Sequence, residues 1–522
     1  MPGLPNKEMI AKASAKYSIL SDFLCFASVH RMNLSGNVIN TVKILHIIFI
    51  QKYKERNDKM ISDNIHDMDL EEAFNSGLIP EKDIFVFNGL FQKEIQIQSE
   101  KEHLYNAKII RITTNKKLLD LFLYKNISAT RLWIDFPFTL TAQEIRYMSD
   151  DSVFPLLKEV YVSKNHPYYE SVDGVLYSKG RRALIFCPHE KPEITIDKDT
   201  EIICSFAFAN NRAIRQVLLP DSVTDIGQMA FANMKSLKYF QFGAGITKAG
   251  SSYETDCFAG NRALERVKFH DNVRYIGKAA FSFCSSLKEI ELPEKLETMD
   301  ENAFYTSGIS SVVLPSSVSE IGECSLFGVS KVEISSEKFI PKGLIKAICR
   351  CMYHTSNDVV EIFDRHTNEH FYFPTVIKKH EYIDTLSDCW DNGFIYSFGF
   401  GIIFSLLGQI PTNNIGQKCI TRIIIRYAKT LSDRSKVSDL LTANSTSILL
   451  TYAESYNSDD IEDICDFLSF DIVNLEQLQM FLKQIQASAD SNAYAATILA
   501  YTIEAINKKS QTSYLGLSLS DI

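Results

Sequence analysis

The sequence predicts an α+β protein: a solenoid of stacked short strands with a period of about 23 residues, flanked by helical N- and C-terminal regions. Three observations predict it. Phe208, Phe231, Phe258, Phe281, Phe304 and Phe327 recur at spacings of 23, 27, 23, 23 and 23. Apolar residues follow each of the first four at fixed offsets: Ile214, Leu237, Leu264 and Leu287, then Val217, Phe240, Val267 and Ile290, then Leu219, Phe242, Phe269 and Leu292. Outside the repeating stretch, apolar residues return at helical spacing instead.

Each unit supplies one short strand. In "LKEIELP" (287–293) Ile290 and Leu292 alternate with Glu289 and Glu291, so one pair points inward and the other out. Pro293 ends the ladder and starts a turn. A second apolar pair closes each unit, as in Val223/Ile226, Val273/Ile276, Leu296/Met299 and Val318/Ile321. Gly227, Gly277 and Gly322 follow where the chain is expected to turn sharply. The fifth unit runs one residue short (Ile309, Val312, Leu314) and is expected to recover its register before Phe327. No unit of this size buries its own apolar face, so stacked neighbours must share one core, with the phenylalanines as an aromatic column.

A period in this range with an L-x-x-I-x-L core marks a leucine-rich repeat. "LLPDSVTDIGQMAFANMKSLKYF" and "LPEKLETMDENAF" more specifically resemble the BspA-type repeat. Cys284 stands at that family's cysteine position, where other units carry Asn211, Met234 and Asn261. "NHPYYESVDGVLYSKGRRALIFCP" (165–188) resembles an insertion common in the family, a β-hairpin around Asp173-Gly174 and Lys179-Gly180. The resemblance covers residues 155–335.

Five regions follow: a helical segment 1–75, an irregular α/β region 76–154, the solenoid 155–340, a hairpin linker 341–375 and a helical-repeat domain 376–522. In the first, apolar clusters lie at Tyr17–Ala27 and Val42–Ile50. In the second, "KIIRITT" and "RLWIDF" read as degenerate repeat strands, as does "KEVYVS" (158–163) at the start of the third. In the last, "NLEQLQMFLKQIQASADSNAYAATILAYTIEAINKK" (474–509) reads as two helices with a polar turn. The pairing is similar to the ankyrin-like helical tail of some BspA-type proteins, though the ankyrin turn motif is missing.

A net charge of −9, with no Lys/Arg run longer than a pair, argues against nucleic acid as a partner. Eleven scattered cysteines without framework spacing fit free thiols in a reducing compartment. No secretory signal opens the chain, because Asp22 interrupts the best candidate, so a cytoplasmic location is expected. Cell-surface placement by a route needing no such signal is the alternative. "GFIYSFGFGIIFSLLGQIP" (393–411) has the length of a bilayer span, but its Gly, Ser, Gln and Pro content favours a buried helix or hairpin.

No catalytic site, cofactor or metal is expected. "HTNEH" (His366 to His370) matches an inverted zinc-protease motif, yet its flanks form strands, and a hairpin turn does not put both histidines on one face. Cys349, Cys351 and His354 lack a second ligand pair and read as incidental residues on a helix. A metal-dependent enzyme centred on 349–370 is the weakest of the readings.

Function therefore falls on the exposed strand face, where a protein ligand is expected. Its outward residues are Gln216, Leu218, Tyr239, Gln241, Arg266, Lys268, Glu289, Glu291, Val313 and Lys331, on a surface about 24 Å long for six strands at ~4.8 Å. Tyr239 beside Arg266 is a pair of the kind enriched at binding hot spots. The four extra residues within 243–258 are a second candidate, as an edge loop. BspA-type repeats also imply an adhesin-like alternative, a surface protein that binds host or matrix proteins.

Overall fold

The computed structural model describes residues 70–76, 78–88, 98–116, 118–250, 256–335, 337, 340–352, 358–394, 417–430, 435–453, 458–489 and 493–518. The clusters at 17–27 and 42–50, nearly all of 393–411, His354 and residues 251–255 lie outside that set. Met1–Ile79 and Pro80–Ile522 form two compact units. The first contributes the described helix Leu70–Asn75. No described helix is long and apolar enough to cross a membrane.

The second unit opens with four parallel strands, Ile84–Phe87, Ile109–Ile112, Arg131–Ile134 and Glu159–Val162, paired in chain order. Ile110, Leu132 and Val160 stack inward beside Ile112, Ile134 and Val162. The insertion follows as an antiparallel meander, Tyr169–Val172, Val175–Ser178 and Ala183–Phe186. Asp173 and Gly174, at the first of its turns, both take the left-handed conformation that a tight hairpin requires.

Below this meander His189 is fully buried, with Nε2 at 3.2 Å from the Met148 carbonyl oxygen. Burial holds its imidazole neutral down to about 4. The unfolded chain protonates it near 6.5, so acid favours unfolding inside that window and leaves stability unaffected above it. Stability is expected to fall by about 1.4 kcal/mol per pH unit through this group, about 3 kcal/mol in all. Denaturant midpoints between pH 7 and 5 should show a steeper slope for wild type than for His189→Gln. Equal slopes would remove His189 from the account.

From Ile202 onward two parallel ladders share the chain. One carries Gln216–Leu218, Tyr239–Gln241 and Arg266–Lys268, and resumes with Ser311–Val313 and Lys331–Ile334. The other uses the second apolar pair of each unit, in Lys248–Ala249, Tyr275–Ile276, Thr298–Met299 and Glu320–Ile321. Gly227 and Gly322 sit at the end of these second strands. The chain does turn there, with Ala230 N–H donating to Gly227 O and Ser325 N–H to Gly322 O, but neither glycine has a positive φ. What excludes a side chain is proximity, since a Cβ on Gly227 would meet the Ser205 amide nitrogen at 2.3 Å.

Between the ladders runs the aromatic column. Phe208, Phe231, Phe258, Phe281 and Phe304 are fully buried and stack with successive centroids 4.8, 5.2, 5.0 and 5.4 Å apart. The sixth member differs from the sequence expectation. Phe304 N–H donates to Ser325 O where Phe281 N–H donates to Ala303 O, so Leu326 and not Phe327 takes the column position. Leu326 is fully buried, and Phe327 is displaced to the edge, where it is only partly buried. The short fifth unit thus keeps its deletion, and the last spacing of 23 is a coincidence of neighbouring apolar residues.

At the cysteine position buried amides do the joining. Asn261 Nδ2 donates to the Phe231 and Phe258 carbonyls, both at 2.8 Å, while its Oδ1 accepts from Met234 N–H at 2.7 Å. Cys284 makes the weaker equivalent, Sγ to Phe258 O at 3.4 Å.

The strand ladder ends in a hairpin, Val359–Asp364 with Glu369–Pro374. The hairpin expected as a linker over 341–375 pairs in parallel with Lys331–Ile334 and extends the sheet. The helix Gln417–Thr430 covers it, with Tyr427 Oη accepting from Tyr372 N–H at 3.1 Å. Trp390, on the helix His380–Asp391, fills the space against Phe371 and Phe373. One apolar core therefore runs without a break from Val175 to Tyr427. Beyond it Ser435–Thr451, Ser458–Ser469, Leu475–Ala489 and Ala493–Ser518 are helices around a separate core that includes Phe467, Phe481 and Ile498.

Candidate protein-binding surface

Alternation along each strand decides which residues reach solvent. Val217, Phe240 and Val267 are buried at the centre of three adjacent strands, so the residues on either side point outward. The register aligns Gln216, Tyr239 and Arg266 in one row and Leu218, Gln241 and Lys268 in the next. The Arg266 guanidinium lies 6.0 Å from the Tyr239 ring centroid, and Tyr239 Oη donates to Gln241 Oε1 at 2.9 Å. Leu218 is 48% exposed, an aliphatic side chain left in water at the start of the second row.

The rows do not run unbroken. Residues 288–292 form no strand, and Ile290 and Leu292 are only partly buried there. The following unit reaches Ser311–Val313 one residue early, and the first ladder is interrupted here while the second continues from Thr298–Met299 to Glu320–Ile321. Glu289 and Glu291 are exposed as expected, but on an extended segment between two sheets rather than within one.

The second sheet carries Val313 and Lys331 with their row neighbours Ser311 and Glu333, and here the structure brings in hairpin residues that the sequence reading left out, Glu361, Phe363, His370 and Tyr372. Ser311, Lys331, Glu361 and Tyr372 occupy one set of paired positions, and Val313, Glu333, Phe363 and His370 the next. Val313 is 45% exposed. Glu333 holds Arg365 at 2.5 Å and Lys331 at 3.2 Å, and these cations keep its carboxyl below the usual range despite the opposing effect of partial burial. Lys331 Nζ stands 5.3 Å from the Phe363 ring, which stacks on His370 at 4.6 Å. The signal for this extension was in "VVEIFD", whose alternation matches that of the repeat strands.

The histidine motif resolves into the hairpin. His366 lies in the turn with its N–H on Asp364 Oδ1, while His370 lies on the returning strand with Nδ1 2.5 Å from Glu361 Oε1. Cys349 and Cys351 are not on one helix: Cys349 caps Leu344–Ile348 and is buried, and Cys351 lies on the strand Arg350–Cys351 and is exposed. The helix ends because Cys349 is already extended, at φ −99° and ψ 143°, and leads directly into the strand. Among the described residues no group of three or more His, Cys, Asp or Glu is placed to hold a metal ion.

Stretches 185–253, 201–333 and 252–362 match the BspA type leucine rich repeat region in six copies. Residues 185–362 are BspA type leucine-rich repeats. The repeats thus extend into the first strand of the closing hairpin. No curated protein matches the chain. Among solved structures, a leucine-rich repeat protein from Eubacterium ventriosum is 16% identical over 43% of this chain and 77% of its own, with a TM-score of 0.32. The pneumococcal vaccine antigen PcpA is 23% identical, over 44% of this chain and 55% of its own, at 0.29. A leucine rich cell surface protein from Faecalibacterium prausnitzii is 21% identical, over 45% and 53%, also at 0.29. The chain spans about half the length of the last two.

Proposed function

We propose that the protein binds another protein through the outward rows of its BspA-type repeats, without catalytic chemistry of its own. The observation that carries this reading is the aligned patch of Tyr239, Arg266, Gln241, Lys268 and half-exposed Leu218. It sets an aromatic ring beside a guanidinium on a rigid sheet, the two groups in which binding energy concentrates, with an aliphatic side chain next to them. Rigid strands also lose little entropy on binding.

Affinity capture from native lysate followed by mass spectrometry tests it, comparing wild type with Tyr239→Ala/Arg266→Glu after circular dichroism has shown both to be folded. The expected result is a partner lost from the variant, at about 2 kcal/mol or more, or roughly 30-fold in Kd. Equal recovery by both proteins would refute the strand face as the binding site.

A further inference from the structure

The edge where each unit turns past its column residue follows a rule that the later units break. One residue beyond the column come Ala209, Ala232, Ala259 and Ser282, and then Tyr305 and Phe327. Two beyond it come Asn210, Asn233 and Gly260, all with positive φ, types that tolerate the left-handed region. The fourth unit places Phe283 there at φ 60°, with its ring 51% exposed.

The fold gains little from this choice. A bulky residue at positive φ is strained, and a ring left 51% exposed covers only about half of its area, whereas Asn or Gly satisfies the same backbone in the units before. The bulky residues instead meet one another. Phe283 packs edge-on against Tyr305 at 5.6 Å, and Tyr305 stacks on Phe327 at 5.5 Å. Arg350 lays its guanidinium over both, 4.8 Å from Tyr305 and 5.7 Å from Phe327.

Charge identifies what would cover this strip. The neighbouring cations are matched, Lys278 by Glu301 at 2.6 Å and Lys346 by Asp384 at 2.7 Å. Among the described residues Arg350 has no ion pair. Stacking on rings engages the faces of a guanidinium and leaves its N–H edge for an acceptor, for which a carboxylate is the best match. Four units at ~4.8 Å give a strip about 15 Å long, the reach of roughly five extended residues.

We infer that the edge formed by Phe283, Tyr305, Phe327 and Arg350 is a second docking surface, for an extended acidic segment of another protein. A carboxylate of that segment pairs with Arg350, and an apolar side chain a few residues away covers Phe283. The surface is separate from the strand face and does not depend on it.

The test pans a phage library of random dodecapeptides on the full chain and on Arg350→Gln and Phe283→Asn. Peptides enriched on wild type are expected to carry Asp or Glu within about five residues of an aromatic or aliphatic residue. They should bind each variant at least tenfold more weakly and Tyr239→Ala/Arg266→Glu equally well. Phe283→Asn should melt at a higher temperature than wild type, which separates lost binding from lost folding. Enriched peptides without acids, peptides that bind the variants equally, or no enrichment at all would overturn the inference. So would self-association of wild type that Arg350→Gln abolishes, which would make a second copy the occupant.

Discussion

Phe258→Ala is expected to cost about 3–5 kcal/mol and to open the solenoid locally rather than throughout. Phe258 is fully buried, stacks on Phe231 and Phe281, and receives the edges of Phe240 and Phe242. Alanine would leave a cavity that rings fixed by neighbouring units cannot close. Hydrogen exchange should show lost protection in the units around 231–281, with Leu475–Ala489 unchanged. Leu326→Ala is expected to cost about 2–5 kcal/mol, and Phe327→Ala less, because only Leu326 lies in the column. The reverse order, read from denaturant midpoints, would restore Phe327 to the column.

Arg422→Ala is expected to cost about 3–5 kcal/mol, confined to the C-terminal helices. Arg422 is 3% exposed and bridges two buried carboxylates, Asp460 at 2.9 Å and Asp463 at 2.6 Å. Lys418 also reaches Asp460 at 3.0 Å, and Tyr452 Oη donates to Asp463 at 3.2 Å. Burial raises the Asp463 carboxyl against the pull of Arg426, 3.6 Å away, and Arg422. Without Arg422 two carboxylates would remain in the core short of their main counterion. Replacing all three together, as Arg422→Met/Asp460→Leu/Asp463→Leu, should recover most of the loss, since desolvating the ions offsets much of their attraction. Urea unfolding followed by exchange in Gln417–Thr430 and Ser458–Ser469 measures both. A single-variant loss under about 1 kcal/mol would show that water reaches the cluster.

What could be seen in the sequence was whatever repeats. The column from Phe208 to Phe304, the inward pairs and the outward rows through Lys268 follow from periodicity, because each unit solves the same packing problem. Departures were hidden where two apolar residues adjoin. Leu326-Phe327 offers two registers, and only the backbone hydrogen bond from Phe304 N–H to Ser325 O chooses between them. Alternation in 287–293 promised a strand, but the segment lies between two sheets and belongs to neither. The Arg422 cluster had no local sign at all. Asp460 and Asp463 lie three apart on one helical face, as solvated pairs often do, and their cation comes from a helix 38 residues earlier.

The closing hairpin has a consequence for how such a chain can change in length. A stack of parallel strands has no intrinsic end, since its last strand offers the next one the same template. Here the final strand, Glu369–Pro374, runs backwards, and the hydroxyl of Tyr427 engages a backbone N–H on it. Whole units can be gained or lost upstream of Val359 while this terminus stays as it is. The face is therefore a ruler with one fixed end, adjustable in steps of one strand spacing, and a chain that adds a unit gains reach without acquiring a new open edge.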